Sequence, residues 1–193
     1  MMPAEKIYIP AEELLLSSFQ LAAAIYASGF HPDFIIGIWR GGAPVGIVVQ
    51  EYLEFMGIST DHIAIRTSSY TGIGRQDDWV RVHGLDYVVG NTGADTSLLI
   101  VDDVFDTGRS IRSVLDELRA RTGPDMPGVV KTATPWYKPA SNQTEMEPDY
   151  YIHTTDKWLV FPHELNGLTV DEIVKNKGPI AATITSMLNQ DEG

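Results

Sequence analysis

The sequence predicts an α/β protein, a parallel sheet flanked by helices, and three observations carry that prediction. Short continuous apolar runs, the pattern of strands buried on both faces, occur at Phe34 to Trp39 and Leu98 to Val101. Each run is followed by a segment whose apolar residues recur at helical spacing. Glycines and polar clusters separate these pieces in the order strand, helix, strand, helix, which leads to parallel pairing with helices on the sheet faces.

The elements follow in order. From Pro10 to Ser28, Leu14, Leu21, Ala22 and Ile25 recur at helical spacing before Gly29, giving a first amphipathic helix. The strand Phe34 to Trp39 stops at Arg40-Gly41-Gly42. Beyond it Val45, Val48, Val49, Tyr52, Leu53 and Met56 line one helical face, and Gly57 stands where a helix C-terminus favours glycine. Ile63 to Arg66 reads as a further strand. The polar stretch from Thr67 to Gly84 has no steady period, and such a length in a compact domain marks a functional or mobile loop. Leu98 to Val101 is the second buried strand, and Ile111, Val114, Leu115 and Leu118 mark the helix after it, ending near Gly123. Val129 to Ala133 and Tyr150 to His153 read as strands, Gly123 to Gly128 and Ala140 to Pro148 as loops, and Pro179 to Gln190 as a last helix.

Composition narrows the function. The 193 residues fit one domain, and 44% apolar with 21% charged residues can bury an ordinary core. No cysteine is present, so disulfides, a thiol nucleophile and thiolate metal sites are excluded. With 26 acidic against 14 basic side chains the net charge is −12, which disfavours nucleic acid as a partner. No run approaches the length of a membrane span, and Met1 to Glu13 lacks the basic start and apolar core of a signal peptide, so the expected location is cytoplasmic with no membrane partner. A phosphate ligand would have to be held by backbone amides and metal ions. The five histidines show no metal spacing, and His153 and His163 read as structural.

The sharpest feature is Leu98-Leu99-Ile100-Val101-Asp102-Asp103-Val104-Phe105-Asp106-Thr107-Gly108-Arg109-Ser110: a buried strand running into three carboxylates, a small-residue turn and a helix. Ligands of open α/β sheets bind outside the C-terminal ends of the strands, where these carboxylates stand. The amides from Asp106 to Ser110 open the helix and form an anion site, with Gly108 allowing close approach. Two other readings compete. The acids also spell the DDxxD metal motif of terpene-forming enzymes, but there the motif lines a helix in a longer all-helical protein. A solvated strand end with a helix cap is the plainer alternative.

This segment resembles the ribose-phosphate signature of the type I phosphoribosyltransferases, which use 5-phosphoribosyl-1-pyrophosphate (PRPP) and Mg²⁺. Further segments extend the resemblance across most of Phe34 to Glu164. Ile38-Trp39-Arg40-Gly41-Gly42 is similar to the family's pyrophosphate loop, Ser68-Ser69-Tyr70 to the start of its mobile loop, and Trp136 to Glu164 to its base-binding hood. Within the hood, Trp136-Tyr137-Lys138-Pro139 and Asp156-Lys157-Trp158-Leu159-Val160-Phe161-Pro162 resemble the 6-oxopurine branch, the xanthine-guanine and hypoxanthine enzymes. The implied layout is one domain over 1–193, with a core of about 30–135, a small base-binding hood of about 136–165 and a C-terminal tail of 166–193.

The resemblance implies roles residue by residue. Asp102 and Asp103 hold the ribose hydroxyls, directly or through Mg²⁺. Asp106 is the catalytic group, taking or guarding the proton on purine N7 as the base adds to C1′, a role worth roughly 10²–10⁴ in rate. With Asp106, the residues Thr107, Gly108, Arg109 and Ser110 cradle the 5′-phosphate; Lys or another residue often replaces Arg109 in the family, so its side chain takes no role. Arg40, Gly41 and Gly42 bind pyrophosphate, and the Arg40-Gly41 loop carries a non-proline cis peptide in the family. Ser69 and Tyr70 close over the site and exclude water. Trp158 stacks on the purine and Lys138 donates to its 6-position oxygen, which selects against adenine. Leu159 through its main chain and Glu164 touch N1 and the 2-position, and Glu164, standing where relatives usually have Asp, is also a candidate metal ligand beside Asp102 and Asp103. The implied function is transfer of the phosphoribosyl group to hypoxanthine, guanine or xanthine in purine salvage, by a homo-oligomer, a dimer or tetramer. The alternatives are transfer to another base, or a PRPP-sensing regulator on the same fold, which would need a basic face or an added DNA-binding domain.

Overall fold

The computed structural model describes residues 5–70 and 79–188. In chain order the elements are β1 (Lys6–Tyr8), α1 (Ala11–Ala27), β2 (Phe34–Trp39), α2 (Gly42–Phe55), β3 (Asp61–Tyr70), β4 (Trp79–His83), α3 (Asp86–Asn91), β5 (Ser97–Val101), β6 (Val104–Phe105), α4 (Arg109–Thr122), β7 (Val129–Tyr137), β8 (Tyr150–Thr154), β9 (Trp158–Val160), α5 (Val170–Asn176) and α6 (Pro179–Leu188). The chain divides into two compact units, a larger one over Leu15–Asp156 and a smaller one made of Met1–Leu14 with Lys157–Gly193.

The larger unit is built on a seven-stranded sheet in the order β4-β3-β2-β5-β7-β6, with β8 also paired to β7. All these pairs are parallel except β3 with β4. The apolar runs predicted as buried strands occupy the middle. Phe34, Ile36 and Ile38 of β2 and Leu98 and Ile100 of β5 join Ile65, Phe105, Ile111, Val114, Leu118 and Tyr137 in one core. At Gly37 an added Cβ would meet the Gly42 carbonyl oxygen at 3.3 Å, so the missing side chain is what lets α2 start close to β2.

The stretch expected to be a loop, Thr67 to Gly84, is corrected in part: β3 runs on to Tyr70 and pairs antiparallel with β4, Arg66 facing His83 and Ser68 facing Arg81. The outer end of β3 is polar and leaves no period, whereas β4 alternates Val80 and Val82, packed on the core side, with Arg81 and His83, a two-residue period that the sequence reading passed over. β1, ahead of the first helix, is three residues long, too short to show a period, and the sequence reading did not find it.

In the smaller unit β1 and β9 form a parallel pair, Lys6 facing Trp158, Ile7 facing Leu159 and Tyr8 facing Val160. Side chains fasten it. The Lys6 ammonium donates to Glu172 at 2.5 Å and the Tyr8 hydroxyl to the same oxygen at 3.2 Å, while Lys157 pairs with Glu5 at 2.7 Å. Glu172 also closes a capping box with Thr169 at the start of α5. The Lys6 hydrogen bond, above all, holds the Glu172 carboxyl down at about 2.

Candidate active site

The site is laid out by β7, a long strand along which the preceding chain pairs twice. β5 pairs with its first half, Val101 facing Ala133, and β6 with its end, Phe105 facing Tyr137. Between them the chain stays attached at one point, the Asp102 amide donating to the Ala133 carbonyl at 3.1 Å. Asp102 then folds over its successor, its Oδ1 accepting from the Asp103 amide at 3.0 Å. After Phe105 the turn Asp106-Thr107-Gly108 leads into α4, with Gly108 at φ 76°, a left-handed conformation that favours glycine. A Cβ there would meet Thr144 Oγ1 at 2.6 Å and the Phe105 ring at 2.8 Å, so a side chain is excluded by packing as well. The result is an open pocket of about 200 Å³ lined by Asp102, Asp103, Asp106, Thr107, Gly108 and Ser110 among others. Amides at the start of α4 and the positive end of its dipole are groups that suit an anion there.

The loop after β2 abuts the same aspartates. A Cβ on Gly41 would overlap the Asp103 carboxylate, and one on Gly42 would lie 2.8 Å from the Asp102 Cα. The structure therefore brings Gly41 and Gly42 against Asp102 and Asp103. A non-proline cis peptide is present, at Trp39–Arg40, one bond before the pair expected to carry it. Burial pushes the Asp102 carboxyl well above the ordinary carboxylate range, the Asp103 charge adds to the rise, and hydrogen bonds from the Asp103 and Gly42 main chain oppose it. Two neighbouring carboxylates, one of them made costly to ionise, are a donor pair that a hard divalent cation suits.

Lys138 is where register explains geometry. Phe105 faces Tyr137 in a parallel pair, and the Lys138 amide donates to the Phe105 carbonyl at 2.9 Å, so the next residues, Asp106 and Lys138, emerge side by side. The Lys138 ammonium donates to Asp106 Oδ2 at 2.8 Å. Lys138 is 7% exposed, a buried cation facing a more open carboxylate.

The remaining predicted residues are distributed as follows. Ser69 and Tyr70 end β3, facing Val80 and Trp79, while their side chains lie outside the described residues. Trp158, Leu159 and Glu164 belong to the smaller unit. In the parallel ladder Trp158 and Val160 turn their main-chain groups to β1, as the bonds Trp158 amide to Glu5 carbonyl and Ile9 amide to Val160 carbonyl record. Alternation then points the Leu159 amide and carbonyl to the opposite edge. The Trp158 side chain is 57% exposed, so its ring is not part of a core. Glu164 Oε2 accepts from the Phe161 amide at 2.9 Å and closes a turn on its own loop. Among the described residues no group of three or more His, Asp or Glu is placed to hold a metal ion by itself. Sequence reading missed the segment that backs the turn: the Gln143 amide donates to the Thr107 carbonyl at 3.0 Å, and Thr144 is folded onto Asn142 Oδ1. The Asn142-Gln143-Thr144 run, typical of side-chain-closed turns, was the available signal.

Comparison with known proteins gives a consistent result. The family described as "Phosphoribosyl transferase domain" matches residues 11–172. The chain is 30% identical over 148 residues to the hypoxanthine-guanine phosphoribosyltransferase of Lactococcus lactis subsp. lactis (strain IL1403), covering 76% of this chain and 74% of that protein. Among solved structures, the purine phosphoribosyltransferase of Pyrococcus horikoshii Ot3 superposes with a TM-score of 0.68 at 27% identity, over 85% of this chain and 97% of the other. The Helicobacter pylori xanthine-guanine-hypoxanthine phosphoribosyltransferase shares the fold, with a TM-score of 0.66 at 18% identity over 84% and 96% of the two chains.

Proposed function

Because the chain belongs to the type I phosphoribosyltransferases, in their purine branch, we propose that it transfers the phosphoribosyl group of PRPP to a 6-oxopurine, hypoxanthine, guanine or xanthine, with release of pyrophosphate. The single observation that carries the choice of base is the buried Lys138 ammonium held against Asp106. A fixed donor beside the group that guards N7 suits a 6-oxo group and opposes the amine of adenine. The name of the Lactococcus lactis relative supports the same substrate class.

In this reading the amides of Thr107, Gly108, Arg109 and Ser110 bind the 5′-phosphate, and Arg40, Gly41 and Gly42 bind the pyrophosphate. Asp102 and Asp103 hold the ribose hydroxyls, directly or through Mg²⁺; they are the residues that would hold this ion, which would supply positive charge against the departing pyrophosphate. The purine N9 forms its bond to C1′ as the bond from C1′ to the pyrophosphate oxygen breaks and the electron pair leaves with pyrophosphate. Asp106 takes or guards the proton on purine N7, and Lys138 exchanges its carboxylate partner for the 6-oxygen. Trp158 stacks on the purine, the outward main chain of Leu159 meets N1, and Glu164 serves the 2-position or would help to hold the metal. Ser69 and Tyr70 close the site. The whole of 1–193 acts as one transferase domain, with the hood at about 136–165 and the tail at 166–193. Small molecules are its substrates. We assign it to a homo-oligomer in the cytoplasm, with support from exposed Trp39 and Ile47 on an apolar groove and from the lack, among the described residues, of any helix long and apolar enough to cross a membrane.

The experiment is pyrophosphate release from PRPP and Mg²⁺ with a panel of bases. Turnover with at least one oxopurine and none with adenine is the expected outcome. Turnover with adenine alone overturns the base assignment.

A further inference from the structure

Lys177 is 7% exposed, yet it ends α5 and stands ahead of Gly178, in a stretch whose pattern gives it no obvious work. Its ammonium donates to the Phe161 carbonyl at 2.6 Å and reaches the Pro162 carbonyl at 3.4 Å. The Phe161 carbonyl is shared, because it also accepts from the Glu164 amide at 3.0 Å, while Glu164 Oε2 takes the Phe161 amide. One buried cation thus fixes the tight turn that follows β9 at the very oxygen on which the turn is built. Burying an ammonium costs several kcal/mol unless its donors are used, and an apolar side chain of similar length would fill the space without that cost. What the charge adds is direction, since hydrogen bonds to charged groups hold their acceptors more firmly than packing does.

The other end of α5 is fastened too. Glu172, in its first turn, accepts from both Lys6 and Tyr8 of β1. β1 holds one edge of β9, so α5 secures β9 twice, through β1 along Trp158 to Val160 and through Lys177 at the turn beyond them.

We propose that Lys177 is a positioning residue for base recognition: from the end of α5 it fixes the turn Phe161 to Glu164, and so the placement of the Leu159 main chain and Glu164 against the purine. This rests on the base-contact reading of Leu159 and Glu164 given above. It assigns a task to the C-terminal segment, which would serve recognition of the base and leave PRPP binding untouched.

Steady-state kinetics of Lys177→Met, Lys177→Arg and the unaltered protein test it. Lys177→Met is expected to raise KM for the oxopurine at least about tenfold and to leave KM for PRPP within about twofold, with Lys177→Arg restoring most of the loss. If Lys177→Met does not fold, Lys177→Gln, which keeps a donor, carries the same comparison with a smaller rise. An unchanged base KM, or equal movement of both KM values, overturns the proposal. Failure of the unaltered protein to turn over any oxopurine would instead overturn the base assignment, so the two failures are distinct.

Discussion

Asp106 and Lys138 hold each other at 2.8 Å because two strands run in register to their ends. Removing the carboxylate's charge while keeping its shape isolates its chemical part. Asp106→Asn is expected to lower kcat at least about tenfold while PRPP binding, read by titration calorimetry, stays within about twofold; an unchanged kcat would remove Asp106 from proton transfer. Gly42 makes the complementary case for size. A methyl group there would press on the end of β5, 2.8 Å from the Asp102 Cα. Gly42→Ala should cost about 1–3 kcal/mol in urea unfolding and weaken PRPP binding, whereas a variant as stable as the parent would show that the loop yields. At this scale the sequence was explicit about the three aspartates and the turn glycine, since their types and spacing are themselves the chemistry. It was silent on the Lys138 to Asp106 contact, which depends on a register between residues 32 positions apart.

The β1, β9 and α5 group is the element whose stability depends most plainly on pH. Glu172 titrates near 2 in the folded chain against an ordinary 4.5, chiefly because the Lys6 ammonium bonds it. A carboxyl held down in the folded state stabilises it above the unfolded pKa, and that contribution disappears as pH falls through the folded value. The Glu172 contribution should therefore be complete above about pH 4.5 and fade between there and about 2. Hydrogen exchange of the β1 and β9 amides over that range should steepen in the parent and flatten in Glu172→Gln; identical profiles would show that Glu172 carries no linkage. Legibility differs between elements for a physical reason. β2, β5 and α2 are buried on one or more faces, so their apolar periods are strong. β1 and β9 are three-residue strands whose partner lies some 150 positions away, and the outer part of β3 is polar; none leaves a period to read.

For the molecule as a whole, the order of strand and helix segments was enough to predict a parallel sheet, and among the described residues the one antiparallel pair, β3 with β4, is the departure from it. The net charge of −12 leaves phosphate binding to main-chain amides and metal, in keeping with a pocket lined by carboxylates and a helix start. Light scattering should return a mass of two or four times the 21.3 kDa chain, and a monomer at micromolar concentration would contradict assembly through the exposed Trp39 and Ile47 face. The division of labour between amides and aspartates is the claim on which the rest stands. A crystal structure with PRPP and Mg²⁺ tests it most directly: the 5′-phosphate should lie on the amides of Thr107 to Ser110 with Asp102 and Asp103 facing the ribose hydroxyls, and a phosphate bound elsewhere, or aspartates turned from the sugar, would contradict it.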